Sequence, residues 1–472
     1  MSEERRETVG SKGRQEDGYG MDERAESDSE PATVPGVSQS KQAGDVRAQW
    51  AWTERCVWTN RMLTTLETGV KGGKWFSLVD KVWREDNLRA AFERVAANKG
   101  SAGVDHVGVT TYASRLDVEI AKLAEELQAG TYRPLPLKRV YINKPGSSEK
   151  RPLGIPVVRD RTVHGAVKQV VEPIFEAGFA ANSYGFRPGL GCKDALRSVQ
   201  RLLDDGWTQV VDVDIKSFFD TIDHDLLMKQ IETRISDGRL LDLMRLFLKQ
   251  GILDGSEHWE PEEGTPQGGV ISPLLANIYL NPLDWQLLKC GYQSARYADD
   301  MVILCRTAAE ADAALSLVRQ WMEGMRLTLH PEKTRIVDVT QPGAHFDFLG
   351  YRFKRTAANK RLIRVPRPKS LRKLREGLCP TTKRCNGYSL DEIIRRINAK
   401  LRGWFEYFKH AHRTEMRDVD GWVRMRLRSI LRKRSKRKGR GRGSDHQRWP
   451  NTYFTEHGLF SCVAARAEAV SP

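Results

Sequence analysis

The chain has 472 residues, 40% of them hydrophobic, enough for two or three domains around a large core and too much for a single small module. Lys and Arg number 77 against 61 Asp and Glu, a formal charge of +16 with a pI near 9.5, so a polyanion is the expected partner, nucleic acid before an anionic membrane. There is no apolar run of about eighteen residues, no signal-like N-terminus and no Cys-x-x-Cys pair among the seven cysteines; this argues against a membrane home and a structural zinc and fits a reducing cytoplasm.

Residues 1–48 mix Ser, Gly, Glu, Asp, Arg and Gln with few large apolar side chains and are expected to form a disordered tail. Large apolar residues begin at Trp50, and Leu78 to Asn98 repeats them at helical spacing. Val140 to Pro156 (VYINKPGSSEKRPLGIP) predicts two short strands about a Pro-Gly-Ser-Ser turn, with flanking basic residues that can grip phosphates. Val210 to Phe219 alternates β-branched residues with acids and leads into a helix marked by Asp223, Leu226, Leu227, Ile231 and Ile235. Gln267, Gly268 and Gly269 stand at the entrance of another helix, with Ser272 expected at the N-cap and Pro273 at the first helical position.

Arg296 to Leu304 (RYADDMVIL) suits a β-hairpin with Asp299 and Asp300 at its tip, and Ala308 to Met325 returns to helix. Ser389 and Glu392 form a capping-box pattern ahead of Ile394, Ile397, Leu401, Trp404 and Phe408. The polar face of that helix carries Arg395, Arg396 and Lys400, and a second basic helix follows. The expected division is a tail (1–48), a mixed α and β body (49–360) and a helical domain (361–472) with a basic C-terminal segment.

Nucleotide polymerisation needs a primer hydroxyl to attack an α-phosphate in line, and two divalent ions held by carboxylates stabilise the attacking and leaving oxygens. Asp214 on one strand, with Asp299 and Asp300 on a neighbouring hairpin, would supply those oxygens if the two elements share a sheet. Tyr-Ala-Asp-Asp alone is a weak pattern, because acids are common in tight turns. Its weight comes from order: basic hairpin, acid-bearing strand, Gln-Gly-Gly loop, Asp pair, helix and basic segment.

In these blocks the chain resembles the reverse transcriptase family, and within it the group II intron reverse transcriptase and maturase proteins. The resemblance covers roughly residues 75 to 465 and rests on KGSAGVDHV (99–107), KRPLGIP (150–156), NSYGFRPG (182–189), VDIKSFFDTIDH (213–224) and GTPQGGVISPLLANIYL (264–280). It continues through RYADDMVIL (296–304), LHPEKT (329–334), FLGYRF (348–353), LRGWFEYF (401–408) and WPNTYFTEHGLFS (449–461). It implies an α+β right hand, with fingers and palm containing an antiparallel sheet, followed by an all-helical thumb or maturase domain.

Roles follow residue by residue from the resemblance. Asp214, Asp299 and Asp300 would be catalytic ligands of two Mg²⁺ ions, with Mn²⁺ as a substitute, while Asp212 and Asp220 are read as structural. Lys150 and Arg151 would hold the incoming triphosphate, Phe219 would exclude a ribose 2′-hydroxyl, Gln267 would lie beneath the nascent pair, and Lys333 would protonate pyrophosphate. Phe348, Leu349, Gly350 and Tyr351 would grip the primer end. The implied partners are an RNA template with a DNA primer, deoxynucleoside triphosphates, group II intron RNA and target DNA, in splicing and mobility of the intron.

From Arg424 to Arg442 the chain contains no acid. Together with Arg395, Arg396 and Lys400, its Arg432, Lys433, Arg434, Lys436, Arg437, Lys438, Arg440 and Arg442 are expected to meet RNA phosphates rather than to act as a nuclear address or membrane patch. The Cys-rich HNH block found at the end of many relatives is not present in the sequence, so second-strand cleavage is not expected. Two other readings remain open, a splicing cofactor with a decayed polymerase and a two-metal nuclease.

Overall fold

The computed structural model describes residues 43–143, 150–356, 361–439, 441 and 443–470. Residues 1–42, the Pro-Gly-Ser-Ser bend, Arg440 and Arg442 lie outside the described residues. A helix spans Ala43–Gln49, across the end of the segment expected to be a tail, and its Val46 is buried with Trp50 in the main core. One valine in a polar stretch has no period to betray it.

Eleven strands, numbered in chain order, form three sheets among the described residues. The first pair is β1 (Leu137–Asn143) and β2 (Lys150–Ile155), and β3 is Gln209–Val213. The short β4 (Ile252–Asp254) and β5 (Glu257–Trp259) precede β6 (Gln293–Tyr297), β7 (Asp300–Cys305) and β8 (Arg335–Asp338). Last come β9 (His345–Phe348), β10 (Tyr351–Arg355) and β11 (Leu362–Pro366).

The central sheet runs β6-β7-β3-β8 with every neighbour antiparallel. Strand alternation decides its two faces. Val211, Val213, Met301 and Ile303 pack in one core with the helices Ser272–Lys289 and Ala308–Gly324. Val210, Val302 and Leu304 face the other way, into a second core shared with the helices Cys192–Asp204 and Leu390–Phe408. Both faces are therefore covered, and the acids emerge only where the strands end.

A second sheet, β2-β1-β4-β5, contains the basic hairpin, with Asn143 opposite Lys150. The third, β11-β10-β9, shares the second core with the C-terminal helices. A boundary at 360/361 cuts the β10–β11 hairpin, so β11 belongs with the sheet before it. Expected caps differ in detail. Ser272 is the first helical residue after Ile271, and its hydroxyl donates to the carbonyl of Pro266 at 2.9 Å, closing the Gly-rich loop. Ser389 does cap its helix by accepting from the Glu392 amide, but the Glu392 carboxylate turns to Arg395 and Arg396, leaving half a capping box. The whole is the mixed α+β architecture expected.

Candidate active site

Strands β3 and β7 are direct neighbours, with Val213 opposite Met301, so Asp214 and Asp300 leave adjacent strands at the same edge. Asp299 lies beside Asp300 in the two-residue turn that joins β6 to β7, where Tyr297 faces Asp300. That turn bends through Ala298 at φ +57°, a conformation that costs a non-glycine residue about 1 kcal/mol or more. Its support is Arg296, wholly buried, whose guanidinium donates to Asp284 at 2.5 and 2.9 Å, to Asn277 at 2.9 Å, to Ser183 at 2.7 Å and to the Ala298 carbonyl at 3.0 Å. Gly185 packs against the same turn, where a Cβ would lie 2.4 Å from the Ala298 nitrogen.

The electrostatics mark a cluster of acids that Arg151, Lys333 and Arg367 offset only in part. Enclosing protein desolvates the Asp300 carboxyl, although the residue opens to the cleft, and with Asp299 and Asp214 beside it pushes its pKa up to about 6. Burial raises Asp299 as well, against Arg151 and Arg296, with Asp214 adding to the rise. Asp212, on the same strand face as Asp214, is pushed up to about 7 by burial, opposed by Arg335 and reinforced by Asp300, Asp214 and Asp347. Among the described residues no three His, Cys, Asp or Glu side chains are gathered tightly enough to hold one metal ion. Instead Lys333 donates to Asp214 at 3.1 and 3.4 Å. The donor set nonetheless suits hard divalent ions: oxygen ligands only, crowded and partly desolvated.

Around these acids the nucleotide-contact candidates divide. Lys150 and Arg151 begin β2 and are exposed; Arg151 lines a cleft of about 940 Å³ together with Asp300, Leu349, Gly350, Arg367 and Trp404. Phe219 lies in a 3-10 turn (Phe218–Asp220), half-buried, and lines a separate cavity of about 430 Å³ with Arg139, Asp220, Trp259 and Gln267. Gln267 is tied to the second sheet, its carbonyl accepting from Gly154 at 2.8 Å while its side chain reaches Asp220 at 3.4 Å. Gly268 adopts φ +110°, and a Cβ there would meet the Gly154 carbonyl at 2.7 Å, so this glycine is required by the protein's own backbone.

The four grip candidates separate in the same way. Phe348 and Tyr351 are core residues, 3% and 1% exposed, while Leu349 and Gly350 form the turn between β9 and β10, both at positive φ, and line the cleft. The turn is bolted to the helix Leu390–Phe408: Tyr407 donates its hydroxyl to the Leu349 carbonyl at 2.7 Å, and Tyr351 donates to the Tyr407 carbonyl at 2.6 Å.

Residues 142–353, which hold all of these acids, match the family described as reverse transcriptase (RNA-dependent DNA polymerase), and residues 371–449 match the group II intron, maturase-specific domain. Protein YkfC of Escherichia coli (strain K12) is 38% identical over 319 residues, 59% of this chain and 83% of that protein. The chain belongs to the group II intron reverse transcriptase and maturase family. The group II intron-encoded protein LtrA of Lactococcus lactis subsp. cremoris is 40% identical over 219 residues, 46% of this chain and 36% of LtrA, so the likeness spans about a third of that protein. A solved telomerase from Candida albicans, in complex with a fragment of telomeric RNA, has a TM-score of 0.41 at 12% identity and covers 77% of this chain and 71% of its own.

In this maturase-type reverse transcriptase the basic helices are less free than their sequence suggests. Arg395 and Arg396 share Glu392, Arg396 also lies 3.8 Å over the Tyr388 ring, and Lys400 donates to the Gly377 carbonyl. Arg432 pairs with the buried Asp445 at 2.5 Å, Arg437 approaches the same carboxylate at 3.8 Å, and Arg434 donates to the carbonyls of Asn386 and Tyr388. Arg428 is buried and donates to the Trp449 carbonyl at 2.9 Å and to Asn451 at 2.8 Å. Among the described residues of the run from 424 to 442, the exposed cations that remain are Lys433, Lys436 and Lys438. Sequence reasoning also passed over Arg367, which lines both the cleft and the 320 Å³ pocket beside Asp214 and donates its backbone amide to Gly350 at 3.0 Å. A lone arginine after a strand offers no motif to find it by.

Proposed function

We propose that the protein extends a DNA primer on an RNA template by two-metal phosphoryl transfer, and that it binds a group II intron RNA to assist splicing and mobility. The observation that carries the reading is the neighbour relation of β3 and β7, which sets Asp214 and Asp300 side by side with Asp299 in the turn. Two Mg²⁺ ions, or Mn²⁺ in their place, would be held by these three carboxylates and would stabilise charge on the attacking and leaving oxygens.

The chain's own residues orient the reactants. Arg151, on the lip of the cleft, and Lys150 beside it are suited to hold the triphosphate of a deoxynucleotide by charge-assisted bonds. Phe219 presents a bulky wall to the incoming sugar, and Gln267 stands on the loop below. Leu349 and Gly350, fixed by Tyr407, offer backbone to the primer end. Lys333, within hydrogen-bond distance of Asp214, would donate a proton to the departing pyrophosphate. A cytoplasmic setting suits a chain in which no described helix is long and apolar enough to cross a membrane.

Incubation with primed RNA, deoxynucleotides and Mg²⁺ tests the reading. Primer lengthening is expected. Binding without lengthening would favour a splicing cofactor, and shortened strands a nuclease.

A further inference from the structure

On the side of the third sheet away from the grip turn, a cavity of about 560 Å³ opens between the end of the helix Cys192–Asp204, strand β11 and the junction at 410–413. Its lining concentrates positive charge: Arg361, Arg364, Arg413 and Arg466, with His410 and His412. Among the described residues the one acid in the lining is Asp204, which accepts from Gln200 at 3.1 Å. Burial and the neighbouring cations hold both histidines below their ordinary pKa, so they stay neutral at pH 7 and leave the arginines dominant.

Two of these arginines are anchored alike. Arg364 donates its Nε to the His410 carbonyl at 3.1 Å, and Arg466 donates its Nε to the next carbonyl, that of Ala411, at 2.9 Å. Consecutive carbonyls thus fix two guanidinium groups by one nitrogen each, and among the described residues the four Nη groups make no hydrogen bond. The exposed side chain of Arg413, at the start of the next helix, makes no hydrogen bond or ion pair among the described residues either. Planar forks held in place, with their outer donors unspent, are what phosphate recognition requires, and surface lysines lack that geometry.

We infer that this cleft is a phosphate-binding site separate from the catalytic cleft, and that it holds the sugar-phosphate backbone of a structured RNA. The inference rests on the proposed reading that the chain binds an intron RNA, and it moves the strongest contact away from the long basic run. In that run Arg428, Arg432 and Arg434 are used by the protein itself, whereas here the guanidinium groups are anchored and still have donors to offer.

The test uses the full chain, a folded group II intron transcript and a short primed RNA template. Arg413→Ala and, separately, Arg466→Lys are measured for transcript affinity across a salt series, for primer extension on the short template and for thermal unfolding. Arg413→Ala is expected to weaken binding about tenfold and to reduce the slope of log affinity against log salt by about 1, and Arg466→Lys to weaken binding with the slope kept, extension and unfolding being unchanged in both. Lysine in place of Arg466 keeps the charge and removes the fork, so weakened binding there supports fork recognition. Inorganic phosphate should compete with the transcript for wild type more strongly than for Arg413→Ala. Wild-type affinity and slope in both variants would overturn the inference, as would an equal loss of extension on the short template, which would place the cleft on the catalytic duplex path. Failure of the wild-type chain to bind the transcript at all would instead sink the reading on which the inference rests.

Discussion

Replacing Arg296 should injure the protein twice, once in stability and once in catalysis. The side chain is wholly buried, as is Asp284, and its donors all go to protein acceptors, one of them the Ala298 carbonyl in the Asp299 turn. Arg296→Met strands Asp284 without a cation; breaking a buried pair in this way costs about 3–5 kcal/mol. The double variant Arg296→Met with Asp284→Leu removes both charges and should recover most of that stability, because two apolar side chains need no partner. Catalysis should not return with it. The Ala298 carbonyl still lacks its donor and the strained turn its brace, so the carboxylates of Asp299 and Asp300 lose their placement. Guanidinium unfolding and single-nucleotide primer extension, run on all three variants, separate the two effects. A single-variant cost under about 1 kcal/mol, or full activity in the double variant, would refute the reasoning.

His164, fully buried against Phe247 with neither ring nitrogen bonded among the described residues, is held down to about 3 by burial. The unfolded chain takes up a proton below about 6.5, so stability present above that pH is lost as pH falls toward 3, by up to about 5 kcal/mol; His164→Leu should lose visibly less on acidification. Arg428→Ala should lower stability by roughly 2–3 kcal/mol through its buried hydrogen bonds, while Lys436→Ala with Lys438→Ala should weaken RNA binding and leave unfolding unchanged; the reverse pattern would contradict the division between inward and outward cations. Phe219→Val should raise ribonucleotide use relative to deoxynucleotides by about tenfold or more in competition assays, and an unchanged ratio would remove Phe219 from the sugar wall.

Much of this was legible in the sequence because the acids sit in ordered motifs and the strands alternate cleanly. The pairing of β3 with β7 was the proviso attached to Asp214, Asp299 and Asp300, and it is met. The sequence reads Asp212 as structural, although a period of two puts it on the face of Asp214; only the fold shows Asp300 and Asp347 adding to its charge environment. The basic run misled for a different reason. Its internal partners, Asp445, Trp449 and Asn386, lie outside the run, so reading the run alone made every arginine look available. Arg296 was likewise invisible as a support, because Asp284, Asn277 and Ser183 come from distant segments that only tertiary packing brings together.

The most direct measurement is single-nucleotide addition to a DNA primer on RNA by wild type and by Asp214→Asn, Asp299→Asn and Asp300→Asn, with RNA affinity followed in parallel. Wild type should add the nucleotide only when Mg²⁺ or Mn²⁺ is supplied, and each variant should lose addition by orders of magnitude while still binding RNA. Undiminished addition by any one of the three variants would contradict a shared carboxylate site at the edge of β3 and β7.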